Sequence, residues 1–243
     1  MRRAPVPGLG AGERLLDATL AHYLGRVLRL RAGDTFVAFD PASGMEADAQ
    51  VLLAEGATLT VQMGEPRQGR VRAGRAILWV QGLPKGDKAD AIVRDATELG
   101  ATRFVVARSR RSVAKLEGAR AAERRARWAR IAQEAARQCG RSDGPAIEPV
   151  SSWSHALDLA TDAQRFCLWE HATEPLGPLL VDALARDAAL AFACGPEGGL
   201  EEQEVEEARA KGWRAVSLGP FALRTETVAA AVLGAARVCE GLV

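Results

Sequence analysis

The run Gly195-Pro196-Glu197-Gly198-Gly199 joins an apolar stretch, Ala189–Cys194, to a helical pattern over Glu201–Lys211. Strand-to-helix turns of this kind are where α/β proteins hold ligands, and glycines there let backbone approach a bound molecule closely. Neither the dinucleotide pattern G-x-G-x-x-G nor the phosphate-loop pattern G-x-x-x-x-G-K-[ST] occurs in the chain. Glu197, Glu201, Glu202 and Glu204 crowd the helix start, so a pyrophosphate is disfavoured there and a cation suits the corner better. S-adenosylmethionine, with its sulfonium and ammonium groups, is a ligand of that character. A tight turn followed by helix-capping acids explains the pentapeptide equally well, so the choice needs a second feature.

That feature follows the run Ala215–Leu218, where Gly219-Pro220 leads to Leu223-Arg224-Thr225-Glu226-Thr227 and an Ala/Val-rich helix. Two glycine-bearing loops at strand C-termini can together wall one cofactor. Backbone at Gly195, Gly199, Leu218, Gly219 and Leu223 is the first expectation for donor contacts. Pro196, Glu197 and Thr227 stand beside them, and Leu168, Trp169 and Glu170 come from the end of the preceding strand. An indole at Trp169 fits a core position as well as an adenine platform. Arg224 carries a fixed fork of donors suited to an electron-rich substrate group, or to capping a loop. Glu226 fits two roles, accepting a proton or orienting Arg224 and the helix start.

These loops require a sheet to carry them. Short buried-type runs at Ala76–Gly82, Arg103–Ala107, Arg165–Glu170, Ala189–Cys194 and Ala215–Leu218 alternate with longer helical patterns. The helices are expected over Asp87–Leu99, Gly118–Cys139, Pro178–Arg186, Glu201–Lys211 and Thr225–Glu240, which predicts an α/β domain with a parallel sheet covered by helices. Ahead of them, Arg26–Leu30, Thr35–Asp40, Ala47–Ala54 and Thr58–Met63, divided by turn residues, predict a small β-rich domain. The aperiodic, Pro/Gly/Arg-rich Gly64–Gly74 reads as a linker, dividing the chain into domains over 1–68 and 75–243.

The formal charge of the 243-residue chain is only +1, but residues 1–31 carry +4 and residues 108–141 carry +8, against −9 over 142–243. Such blocks are the electrostatic footprint of a polyanion binder, and equally of a solvated, Arg-rich helix face. On the long helix, Trp128, Ile131, Ala135 and Cys139 recur at helical spacing as the buried stripe. Arg124, Arg127, Arg130, Arg137 and Arg141 are then left for other faces and for phosphate. The four cysteines are scattered without ligand spacing and read as reduced thiols, while His155 and His171 lack metal-ligand company. No metal site is expected. With no apolar stretch near the ~20 residues a membrane span needs, and no leader, a cytoplasmic protein is expected.

Taken together, the motifs resemble the RsmE-type 16S ribosomal RNA uracil-N3 methyltransferases of the SPOUT superfamily. The resemblance rests on His22-Tyr23-Leu24 with Arg26-Val27-Leu28-Arg29 and Gly33-Asp34, then Lys85-Gly86-Asp87-Lys88 and Thr97-Glu98-Leu99-Gly100. Arg127-Trp128, Glu134-Ala135-Ala136, Gln138-Cys139-Gly140-Arg141 and the two C-terminal loops complete it. Departures fall at Cys139, Phe221-Ala222 and Val228, and the loss of a basic residue near Phe221 puts a phosphate contact there in doubt. The resemblance implies a trefoil knot threaded through Gly195–Gly199 and Leu218–Thr227, a PUA-like N-terminal β-barrel, S-adenosylmethionine as cofactor and a homodimer. It implies 16S ribosomal RNA or the assembled small ribosomal subunit as partner, with Gln138 and Arg141 at the RNA entrance. Arg2, Arg3, His22, Arg26 and Arg29 would hold RNA from the N-terminal domain, and Arg224 and Glu226 would serve catalysis. A non-catalytic RNA binder on the same fold is the alternative from another class. A nicotinamide dehydrogenase is disfavoured by the missing dinucleotide pattern.

Overall fold

The structure, a computed structural model, describes residues 2–55, 58–112 and 116–241. The chain divides into two compact units, one of Met1–Arg72 with Ala136–Gly144, the other of Ala73–Ala135 with Pro145–Val243.

In the first unit, β1 (Arg3–Pro5), β2 (Gly12–Leu15), β3 (Thr35–Asp40), β4 (Met45–Glu55), β5 (Thr58–Met63) and β6 (Arg67–Gln68) form one mixed sheet. Its order is β1-β3-β4-β5-β2, with β6 on β4, and β1 runs parallel to β3 while the other pairings are antiparallel. Alternation along β5 buries Leu59, Val61 and Met63 on one face, as the two-residue period of a strand requires. The expected strand at Arg26–Leu30 is not one. Asp17 caps α1 (Ala18–His22) by accepting the Leu20 N–H at 2.9 Å, and the chain continues as a π-helical turn over Tyr23–Val27. Leu24 and Leu30 are buried from that turn and its exit, so the same apolar residues reach the core without a pleat.

Residues 136–144 group with this unit. Glu46, 1% exposed, accepts the Ser142 hydroxyl at 2.8 Å and pairs with Arg3 at 3.3 Å, and Arg3 also donates to the Ser142 hydroxyl at 2.9 Å. No local pattern announces contacts between residues this far apart in the chain.

The second unit contains β7 (Ile77–Gly82), α2 (Lys88–Glu98), β8 (Arg103–Arg108), α3 (Gly118–Cys139, whose last turn lies in the first unit), β9 (Ala146–Ile147) and β10 (Ser151–Ser152). It continues through α4 (Trp153–Asp158), β11 (Ala163–Leu168), α5 (Leu176–Ala185), β12 (Ala189–Cys194), α6 (Glu202–Ala210), β13 (Arg214–Val216) and α7 (Thr225–Glu240). The strands form a parallel sheet in the order β10-β8-β7-β12-β11-β13, with β9 on β8. Every residue of β7 is buried, as a strand covered on both faces demands. Ile77 and Trp79 enter a core with residues of α2, α3, α5 and α7, whereas Leu78 and Val80 enter one with residues of α4 and α6. The expected strands and helices of this unit are all present within two residues, and only the short β9, β10 and α4 lack a sequence counterpart. From the sheet edge at β13 the chain returns to place Thr225 against Gly195. No helix among the described residues is long and apolar enough to cross a membrane.

Burial alone would raise the Glu46 carboxyl, but hydrogen bonds from Ser142 and Arg3 outweigh it and hold the group below the usual carboxylate range. Its stabilising effect is therefore complete at neutral pH and is lost as pH falls through that lowered value. Glu46→Gln is expected to cost about 3 kcal/mol at pH 7 in urea denaturation, because a charged Arg3 loses its buried partner. The gap to the wild type should narrow in acid.

Candidate active site

Strands β12, β11 and β13 are neighbours in register, Leu168 pairing with Cys194 on one side and Val216 on the other. Their C-terminal ends consequently share one edge, and the loops leaving them enclose a cavity of about 670 Å³. Its wall includes Leu168, Trp169, Glu170, Gly195, Pro196, Glu197, Gly199, Leu218, Gly219, Leu223 and Arg224, all expected from the sequence. Gly198 and Gly219, from separate turns, face the same hollow. Of the expected set, Glu226 and Thr227 lie outside the wall, while Lys88, Ser217, Thr225 and Val228 were not anticipated there.

Glycine is needed where the loops crowd together. A Cβ on Gly199, whose φ is +71°, would lie 2.4 Å from the Glu170 carboxylate, and one on Gly195 would lie 2.9 Å from the Gly199 carbonyl carbon. Trp169 packs on the second core with the Arg209 guanidinium 5.8 Å from its ring centroid and His171 edge-on at 5.3 Å, so its indole is a supported wall. Arg224 is exposed at the N-cap of α7, where its carbonyl accepts the Thr227 and Val228 N–H groups, and no described residue pairs with its guanidinium. Phe221, on the departing loop, is 82% exposed.

Lys88 joins two acids beside this wall, its Nζ lying 3.1 Å from Glu197 and 3.4 Å from Glu226. Burial pushes the Glu197 carboxyl up, but hydrogen bonds from its own backbone N–H, from Lys88 and from the Lys85 N–H outweigh this and hold it below the usual range. The hydrogen bond to Glu197, followed by that to Glu226, keeps the Lys88 ammonium above its ordinary value. Deeper in, Gln81 binds both Gly195 and Thr225. The signal for Gln81 was one amide in the apolar run of β7, and Lys88 carried no signal beyond its motif. Cys167 and Cys194 are buried thiols pushed up to about 12 by desolvation, which makes them inert packing groups at neutral pH.

The residues expected to hold RNA separate into two groups. His22, Arg26, Arg29 and Gln138 are exposed, and Arg2 is exposed with Asp34 at 3.4 Å. Arg3 is engaged by Glu46 and Ser142, and Arg141, 3% exposed, is gripped by Asp143 at 3.0 and 2.8 Å. Both serve the fold of the first unit. The basic helix is likewise compensated, with Arg124 on Asp87 at 2.8 Å and Arg127 on Asp90 at 2.5 Å, leaving Arg120 and Arg130 exposed.

The family described as RNA methyltransferase domain matches residues 72–237. Ribosomal RNA small subunit methyltransferase E of Bacillus subtilis is 31% identical over 211 residues, covering 85% of this chain and 82% of that protein. The protein of the same name from Synechocystis is 32% identical over 226 residues, covering 89% of this chain and 72% of that one. The crystal structure of a ribosomal RNA small subunit methyltransferase E from Neisseria gonorrhoeae bound to S-adenosyl methionine is similar with a TM-score of 0.88. Its identity is 29%, and the match covers 98% of this chain and 97% of that one.

Because its own backbone N–H, Lys88 and the Lys85 N–H together favour the ionised Glu197, its carboxyl carbon should titrate below the usual carboxylate range in an NMR pH series. In Lys88→Met the midpoint should move part of the way upward, and an unchanged midpoint would remove Lys88 from these causes.

Proposed function

Since the chain belongs to the RNA methyltransferase family shared by these proteins, we propose that it methylates N3 of a specific uridine in 16S ribosomal RNA, with S-adenosylmethionine as methyl donor. One observation carries the reading: two glycine turns and a third loop wall a single cavity, with an unpaired arginine on its rim. The volume lies in the usual range for small-molecule sites, roughly 300–1,000 Å³. The groups present suit a flexible cation, with Glu170 and Glu197 in the wall and a glycine floor that a Cβ at Gly195 or Gly199 would fill.

When bound, the donor supplies an electrophilic methyl group on a sulfonium. Backbone at Gly195, Gly199, Leu218, Gly219 and Leu223 holds it, and the exclusion of water by Leu168, Val228 and Leu200 strengthens each polar contact in the cavity. Uracil N3 is a poor nucleophile until its proton leaves, so the protein must favour the imide anion. Arg224 does this by donating to the uracil oxygens where negative charge develops. Glu226, in the first turn of α7 and ion-paired with Lys88, orients the start of that helix. His22, Arg26, Arg29, Arg2 and Gln138 bind the RNA chain, acting where ribosomal subunits are made in the bacterial cytoplasm. The Ala-rich α7 and the family relationship support a homodimer, which light scattering at micromolar concentration tests directly.

Incubation with small subunits that lack the mark should yield 3-methyluridine on nucleoside mass spectrometry. A different methylated nucleoside would reassign the target, and no product together with no calorimetric binding of the donor would leave a plain RNA binder. Arg224→Ala is expected to lower kcat about 10²–10³-fold with donor binding largely retained.

A further inference from the structure

The connection from β7 into α2 touches the turn after β12 at four places. Gln81 Nε2 donates to the Gly195 carbonyl at 3.1 Å, and a Cβ on Gly82 would lie 2.6 Å from Pro196 Cδ. The Lys85 N–H lies 3.1 Å from each Glu197 carboxylate oxygen, and Lys88 completes the set with its ion pair to Glu197. The same connection reaches the start of α7. Gln81 Nε2 lies 2.8 Å from Thr225 Oγ1, which itself donates to the Gly195 carbonyl at 2.9 Å, and Lys88 pairs with Glu226.

Gln81 is fully buried among apolar neighbours, and its Oε1 accepts the Trp79 indole N–H at 3.0 Å. A buried amide is tolerated only when its donors and acceptor are met, as they are here. An apolar side chain of similar volume would leave the buried Trp79 indole N–H without its acceptor, at a cost in stability. An amide adds direction, because its hydrogen bonds hold Thr225 and Gly195 in one arrangement. Gln81 does not line the cavity, whereas Thr225 and Gly195 do.

We infer that Gln81 is a positioning residue for methyl transfer: acting through Thr225 and Gly195, it locks the two cofactor loops together and sets where Arg224 presents its guanidinium. Lys88 repeats the same link at the surface. This rests on the proposed methyltransferase reading and adds to it a residue that touches neither substrate.

The test compares full-length Gln81→Met, Thr225→Val and Thr225→Ser with the wild type. It uses urea denaturation, calorimetric binding of S-adenosylhomocysteine, backbone amide exchange over residues 223–228, and methylation kinetics on small subunits. Gln81→Met and Thr225→Val should fold and keep their affinity for S-adenosylhomocysteine, while the 223–228 amides exchange faster. Their kcat should fall by about 10²-fold at little-changed KM, the scale expected when a reacting group is misplaced by about 1 Å. Thr225→Ser, which keeps the hydroxyl, should recover most of the rate. If Gln81→Met does not fold, Thr225→Val carries the same comparison with a change of one hydroxyl. Unchanged kcat and exchange in folded variants would overturn the inference, as would a loss of rate only in proportion to folded protein. A wild type that methylates no RNA would instead defeat the proposed function, and the exchange data would still report whether Gln81 holds the start of α7.

Discussion

The carbonyl oxygen of Gly195 accepts hydrogen bonds from Gln81 and Thr225, and the shape of the cavity depends on that junction. It lies just past the C-terminal end of β12, where the chain must leave the sheet, and both hydrogen bonds are buried. A buried carbonyl deprived of its donors costs on the order of 1–3 kcal/mol, so the arrangement is strongly preferred over one in which α7 starts elsewhere. Because Thr225 is the first residue of α7, the same bonds that satisfy the end of one strand place the beginning of the last helix. The glycines follow from this crowding, since neither Gly82 nor Gly195 has room for a methyl group.

Charges of opposite sign stand at different parts of the cavity. Glu170 and Glu197 stand in the wall of the cavity, and Arg224 stands on its rim, its guanidinium unpaired among the described residues. Lys88 keeps Glu197 and Glu226 from repelling each other across the gap between the loops. Elsewhere the basic blocks are less available than their net charge implies. Asp87 and Asp90 of the α2 region answer Arg124 and Arg127, and Asp143 answers Arg141. Polyanion binding scales with the cations free to displace counterions, so the exposed Arg26, Arg29, Arg120 and Arg130 matter more than the sum over the segment.

The first unit shows how far chain-local patterns extend. Its strands follow from short alternating or apolar runs, β5 alternating and β3 continuously buried after Thr35, yet its buried centre of charge, Glu46 with Arg3 and Ser142, is assembled from three distant stretches. Arg3 and Arg141, of the residue type of phosphate contacts, also make hydrogen bonds inside the unit.

Periodicity and turn chemistry were enough to read the parallel sheet, its helices and the two glycine turns, because each depends on which residues within one segment face water. The same reasoning misassigned Arg26–Leu30, where the chain continues directly from α1 as a π-helical turn over Tyr23–Val27 and its apolar residues reach the core without a pleat. Gln81, Lys88 and Thr225 escaped notice as parts of the site. Their roles come from hydrogen bonds and ion pairs spanning more than a hundred residues, and only the order of strands β7, β12, β11 and β13 brings those partners within reach. A one-dimensional pattern records the burial of a residue but not the identity of the group it meets, and that identity is what makes the cavity a site.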